Sequence, residues 1–240
     1  MTASGTRIID PVSEVLHDEF WIFGYGSLIF KPPPEVERAI PGYISGYVRR
    51  FWQKSHDHRG TETAPGRVVT LVEKEFWETL EDPHSKFENP KLKTWGIAYK
   101  IKAGKVPEVS AALDLREQNG YTVHLVPFNP LINNIDSVSL GADLSFSADS
   151  DAKPRTILSI VYIGTPDNEA FAGVQDIDEL AAHILKSNGI SGSNKEYLYK
   201  LGEALQNIHG ENGEEDDYHV RDLVEKVKAL ELLEQSHDIL

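Results

Sequence analysis

The order of apolar periodicities along the chain predicts an α+β domain. Strand-like runs dominate residues 21–164, a single helical stripe interrupts them at 105–119, and from residue 176 onward the pattern is helical. The chain has 240 residues, of which 40% are hydrophobic, enough for one large domain or two small ones with a substantial core. Residues 20–236 read as a single domain. The polar stretch 1–19 shows no clear periodicity and reads as a mobile lead-in.

The elements follow in order. Residues 21–23, Trp-Ile-Phe, form a first buried strand, and the triple proline at 32–34 starts an irregular loop. Residues 40–53 carry aromatic and β-branched side chains punctuated by Gly42 and Gly46, which predicts one or two strands. Residues 68–72 are a plain strand. Residues 73–94 are polar, with two prolines and charges of both signs, and read as a surface insertion with a helical piece near 76–80. Strands follow at 95–101, 121–128 and 156–164, the last two separated by a second insertion, 129–155, rich in Asn, Ser, Asp and Gly. Beyond Asp176, Ile177, Leu180, Ala181, Ile184 and Leu185 share one face, as do Tyr197, Leu198, Leu201 and Leu205. After an acidic break at 211–217, Val220, Leu223, Val224, Val227 and Leu230 mark a last amphipathic helix.

Composition excludes several function classes. A net charge of −14 argues against a general nucleic-acid or anionic-membrane binder, and any site for an anionic small molecule has to be made locally positive. No run approaches a membrane span, and residues 1–18 lack the basic start and apolar centre of a signal peptide. Zero cysteines exclude disulfides, thiolate zinc sites and a cysteine nucleophile, in keeping with a cytoplasmic setting.

The stretch Trp21-Ile22-Phe23-Gly24-Tyr25-Gly26-Ser27-Leu28 is a strand interrupted by two glycines, which marks a sharp turn or a close approach to the backbone. A dinucleotide fingerprint would need a third glycine where Ile29 stands, and a hydrolase nucleophile elbow at Ser27 would need glycines in place of Tyr25 and Ile29. Neither motif is present. In the helical stripe, Val106, Val109 and Leu113 share a face, and the next step of four lands on Glu117, with Gly120 placed to end the helix. A carboxylate in register with an apolar face either reaches to solvent or is partly buried with a raised pKa, as a general base near neutrality requires. His56 and His58 offer alternate positions on one strand face, but nothing completes a ligand set, so no metal is expected.

The Gly-Tyr-Gly-Ser-Leu segment, Arg49-Arg50-Phe51-Trp52-Gln53, Asp57-His58-Arg59-Gly60-Thr61 and Pro65-Gly66-Arg67-Val68-Val69-Thr70-Leu71 together resemble the glutathione-specific γ-glutamylcyclotransferases of the ChaC family. The resemblance extends to about residue 208. It implies a small mixed β-barrel packed with helices, with a helical C-terminal third. It further implies a small-molecule substrate, glutathione, and no cofactor. In Leu115-Arg116-Glu117-Gln118-Asn119-Gly120-Tyr121 the family's catalytic glutamate matches Glu117. The substrate-binding positions it implies are Phe23, Gly24, Tyr25, Gly26, Ser27 and Leu28, with Tyr121 and Tyr197 matching tyrosines that line the site in the wider family. Arg67 is expected there as well; Arg49, Arg50 and Arg67 either neutralise substrate carboxylates or are surface arginines. Ile190 and Val174 stand where proline is usual, which bears on local turn shape. The two insertions are expected to cover or reshape the site entrance. Other γ-glutamyl amino acids or amines as substrates, or γ-glutamyl binding without catalysis, are the alternatives, and the oligomeric state stays open.

Overall fold

The computed structural model describes residues 19–88, 91–117, 120–131, 156–209 and 217–237. The expected lead-in, except Glu19, nearly all of the second insertion and the acidic break at 211–216 lie outside the described residues.

The strands are β1 (Trp21–Gly24), β2 (Val36–Ser45), β3 (Tyr47–Ser55), β4 (Gly66–Glu73), β5 (Lys93–Ile101), β6 (Thr122–Pro130) and β7 (Ile157–Ile163). Five of them close a barrel in the order β1-β5-β2-β6-β7. Neighbours are antiparallel except where β1 meets β7, a parallel contact at Ile22 and Ile160 that makes the barrel mixed. Two glycines let so small a barrel fill. Gly42 of β2 and Gly96 of β5 are register partners. The Phe128 ring stands 2.5 Å from where a Gly42 Cβ would lie, and the Phe23 ring 2.6 Å from that of Gly96. The two rings then meet with centroids 5.6 Å apart, closing the interior.

Gly46, at φ +85°, splits the 40–53 run into β2 and β3. β3 leaves the barrel and pairs with β4 as a separate antiparallel ribbon, with a register shift between Arg50 and Gln53. Five helices complete the described fold: α1 (Lys74–Trp77), α2 (Val106–Arg116), α3 (Ile177–Lys186), α4 (Asn194–His209) and α5 (Tyr218–His237). α3 starts where Asp176 accepts hydrogen bonds from the Asp178 and Glu179 N–H groups. Leu180, Ala181 and Ile184 of α3, Leu198, Leu201 and Leu205 of α4, and Val220, Leu223 and Val227 of α5 are buried together. A short hairpin, β8 (Asn188–Gly189) and β9 (Gly192–Ser193), joins α3 to α4.

Two expectations need correction. Residues 73–94 are more than a surface insertion: Trp77 and Leu92 form a second small core with Val48, Trp52 and Val72 on the β3–β4 ribbon. The segment also brings Asp82 and His84 into the interior. Arg49 and Arg50 are neither surface arginines nor cavity residues. Both are buried, Arg49 against Asp217 at 2.7 Å and Arg50 against Asp82 at 2.7 Å and Glu88 at 2.9 Å. Asp82 is buried although charged because the buried Arg50 guanidinium needs a carboxylate beside it.

Candidate active site

α2 buries Val106, Val109 and Leu113, as their spacing predicts, but its helical stretch stops at Arg116. Glu117 caps it, its N–H donating to the Leu113 carbonyl at 2.8 Å. The carboxylate therefore projects from the last turn on the buried face, with its side chain 16% exposed. Just beyond, Gly120 takes φ +76°, and the Asn168 side chain fills the space a Cβ would need while donating to the Gly120 carbonyl at 2.7 Å. Burial raises the Glu117 pKa; Arg116, with Nε 3.5 Å from Oε1, pulls against it, and the charge of Asp57 adds to the rise. The carboxyl thus holds its proton more tightly than an ordinary glutamate.

Opposite stands the turn after β1. Residues Ser27–Ile29 form a 3₁₀ turn whose Leu28 carbonyl accepts from the buried Tyr99 hydroxyl at 2.8 Å. Arg116 Nη2 donates to Ser27 Oγ at 2.6 Å, so one arginine ties the turn to the glutamate. At Gly26 an added Cβ would lie 2.9 Å from Val69 Cγ2 and 3.1 Å from the Tyr197 hydroxyl oxygen. The constraint there is space rather than a positive φ, since φ is −125°.

Phe23, Tyr25, Gly26, Ser27, Leu28, Glu117, Tyr121 and Tyr197 all line one cavity. The structure brings these eight expected residues together, and leaves two others out. Gly24 lies beneath the turn, its α-carbon facing Leu28 Cβ with no room for a side chain. Arg67 is turned away and bound at home: it donates to the Pro65 and Gly66 carbonyls at 3.0 and 3.1 Å and to Gln175 Oε1 at 3.0 Å. No described residue of 74–94 lines the cavity either.

Burial pushes the phenols of Tyr25, Tyr121 and Tyr197 up, and the Glu117 charge pushes each further. They remain O–H donors at neutral pH. Tyr25 donates to the Tyr162 carbonyl at 2.8 Å, and Tyr197 is wedged edge-on between Phe30 and Phe51, each with ring centroids 5.8 Å away.

Sequence reasoning missed Lys31, Lys54, Asp57, His58, Arg59, Arg116, Tyr162 and Ser191, which share the same cavity. Two signals were available: Arg116 adjoins Glu117, and Asp57-His58-Arg59 sits in a segment that carries the resemblance. The lining thus holds four cations (Lys31, Lys54, Arg59, Arg116) and two carboxylates (Asp57, Glu117), a local excess of positive charge in a chain of net charge −14. The His56 and His58 rings point to different partners, Glu62 at 3.8 Å and Ser191 Oγ at 2.8 Å. Among the described residues no group of three or more His, Asp and Glu side chains is placed to hold a metal, and no helix is long and apolar enough to cross a membrane.

Comparison with known proteins gives this cavity its relatives. The family model for ChaC-like protein matches residues 20–230. A glutathione-specific γ-glutamylcyclotransferase of Saccharomyces cerevisiae is 42% identical over 220 residues, covering 86% of this chain and 95% of the relative. One from Schizosaccharomyces pombe is 37% identical over 209 residues, covering 87% and 92%. A crystal structure of a γ-glutamyl cyclotransferase specific to glutathione from yeast superposes with a TM-score of 0.73 at 40% identity, covering 88% of this chain and 96% of that one. The fold is thus shared with a solved relative, and the chain belongs to the ChaC-like protein family.

Proposed function

We propose that this protein degrades glutathione by intramolecular cyclotransfer, releasing 5-oxoproline and cysteinylglycine. The observation that carries the mechanism is Glu117, a carboxylate with raised proton affinity that faces a constricted backbone turn inside a positively biased cavity. Glutathione brings two carboxylates and one ammonium, and the lining offers cations for the former and acids for the latter. The names of the relatives supply the substrate, and the family supplies the reaction class.

The nucleophile is part of the substrate. Its α-amino nitrogen attacks the γ-carbonyl carbon, the bond to the cysteine nitrogen breaks, and a five-membered lactam forms. Neither water nor an enzyme nucleophile is consumed. Folding the glutamyl chain back into attack geometry can contribute roughly 7–11 kcal/mol to lowering the barrier. Glu117 takes the proton from the α-ammonium and returns it to the departing amine. Backbone N–H groups of residues 26–28 and the phenols of Tyr121 and Tyr197 stabilise the oxyanion, in a site whose low polarity strengthens each bond. The pinning of the turn by Tyr99 and Arg116 supports this role, since donors that do not reorganise stabilise best.

The test is direct: purified protein is given reduced glutathione, and 5-oxoproline and cysteinylglycine are quantified. Equal release of both products is expected. Absence of 5-oxoproline, or faster cleavage of γ-glutamyl-alanine than of glutathione, would overturn the assignment.

A further inference from the structure

The loop that follows β3 is clamped from both sides. Across the hairpin, the Ile190 N–H donates to the Asp57 carbonyl and the Ser191 N–H to the His58 carbonyl, both at 3.0 Å. Gly189 permits this approach, because a Cβ there would lie 2.4 Å from the Asp57 oxygen. Within the loop, Ser55 Oγ accepts the Arg59 N–H at 3.0 Å, and Arg59 Nη1 donates to the Ser193 carbonyl at 3.0 Å. At its far end Gly60 is pressed against Gly66, where a Cβ would fall 2.0 Å from the backbone nitrogen. Segments more than 130 residues apart thus fix one short stretch of backbone.

This stretch lines the cavity with Asp57, His58 and Arg59, and Asp57 is the one acid among them. Its carboxylate accepts the His58 N–H, its side chain is 44% exposed, and it lines the same cavity as Glu117. These two are the carboxylates of the described lining, amid Lys31, Lys54, Arg59 and Arg116. Cations suffice for the substrate's carboxylates; a substrate ammonium needs an acid that stays charged after the base has taken its proton. Glu117 loses its charge at that moment, and Asp57, which takes no part in the transfer, is the other carboxylate of the described lining.

We propose that Asp57 binds the α-ammonium group of the γ-glutamyl substrate and holds the nucleophilic nitrogen while Glu117 removes its proton. This rests on the cyclotransfer reading and names a second substrate-touching acid for it. One N–H proton passes to Glu117 and the nitrogen bonds to the γ-carbonyl carbon. As the bond to the cysteine nitrogen breaks, that proton and a second one from the attacking nitrogen pass to the departing amine, and Asp57 accepts the N–H that remains. The groups that couple electrostatically to Glu117 are Arg116 beside it, Asp57, Tyr25, Tyr121, Tyr162 and Tyr197, all of which line the cavity. Of these, Asp57 is the other carboxylate, so its removal has a sign: Glu117 becomes easier to ionise.

The experiment compares ligands that differ only in the amine. In Glu117→Gln protein, in which turnover is expected to be slowed by ~10²–10⁴-fold while substrate still binds, calorimetry measures glutathione and its deamino analogue. Adding Asp57→Asn, which can still accept the His58 N–H, should weaken glutathione by about 10–100-fold, the worth of a charged hydrogen bond. The deamino analogue should bind both proteins alike. Equal weakening of both ligands would make Asp57 a loop-shaping residue only and overturn the proposal, as would no change in either. In an otherwise wild-type background, Asp57→Asn should move the acid limb of kcat/KM to lower pH; an unmoved limb contradicts the proposal. Release of 5-oxoproline by the wild type tests the functional reading separately, so failure of one is not failure of the other.

Discussion

Asp82 and Glu117 are two buried carboxylates whose pKa values move in opposite directions. Burial by itself raises both. At Asp82 the Arg50 guanidinium, the Trp77 Nε1–H and the His84 N–H outweigh burial and hold the carboxyl below the usual range. At Glu117 the opposing contribution comes from Arg116, 3.5 Å away, while Asp57 pushes the other way, and burial wins. The same strand serves both regions: Arg49 and Arg50 of β3 feed the network around Asp82, and Lys54 and Ser55 at its far end line the cavity. A carboxylate supplied with donors becomes a strut. One left with fewer donors keeps its proton affinity for chemistry.

The largest effect that separates the two comes from Glu117→Gln. General base catalysis typically contributes ~10²–10⁴-fold, and kcat should fall by at least that order while glutathione still binds. A glutamate with raised pKa favours the folded state below its ordinary range, and that contribution is lost as pH rises through the raised value. The amide should therefore match or slightly exceed wild-type thermal stability at neutral pH, as a melting curve would read. Retention of more than about a tenth of kcat would place the base elsewhere.

Asp82→Ala should do the reverse. It strands the Arg50 charge in the interior, a change that costs about 3–5 kcal/mol, read by urea unfolding. Activity per folded molecule should survive, because neither Asp82 nor Arg50 lines the cavity. Loss of activity at full stability would erase the distinction between the regions.

Gly26→Ala tests the cavity wall. The new Cβ presses on Val69 and the Tyr197 hydroxyl, and misplacement on the scale of 1 Å can cost up to ~10²-fold in rate. Turnover should drop with the fold intact; wild-type turnover would remove the turn from the mechanism.

The smallest effect concerns the back of the network. Phe51 N–H donates to His219 Nε2 at 3.1 Å, which leaves His219 Nδ1–H to donate to His84 Nδ1 at 2.8 Å and His84 Nε2–H to face Asp222 at 2.8 Å. Burial, with Arg50, His84 and Arg49, holds the His219 pKa well below 6.5. A depressed histidine stabilises the fold above its unfolded pKa, and that stability drains as pH falls below about 6.5, by up to ~1.4 kcal/mol per pH unit. His219→Gln should flatten this acid slope in unfolding measured from pH 7 to 5. An unchanged slope would remove His219 as its source.

The contrast also explains what could be read from the sequence. β1 and β7 were legible because continuous apolar runs allow little else, whereas the sequence left one or two strands open at 40–53, where Gly42 stays within β2 and Gly46 makes the split. Glu117 was placed by register and resemblance together, Tyr121 and Tyr197 by resemblance, and all three line the cavity. Residues 73–94 were misread because local polarity signals a surface loop, whereas Asp82 and His84 are polar to satisfy Arg50 and His219 at a distance. Arg49 and Arg50 were weighed as partners for substrate carboxylates and are interior instead; none of Arg49-Arg50-Phe51-Trp52-Gln53 lines the cavity. Asp57 and Ser191 were missed for the opposite reason. The contacts that aim them join residues 133 positions apart, and no window of sequence contains both.

The central claim is that the cavity raises the proton affinity of Glu117 and that catalysis uses it. The pH dependence of kcat/KM for glutathione, measured on wild type and Glu117→Gln side by side, tests this most directly. The wild-type rate should climb with pH along an acid limb centred above 4.5, the ordinary value for glutamate. The residual rate of the amide variant should lack that limb. A wild-type limb at or below 4.5, or the same limb in both proteins, would contradict the account.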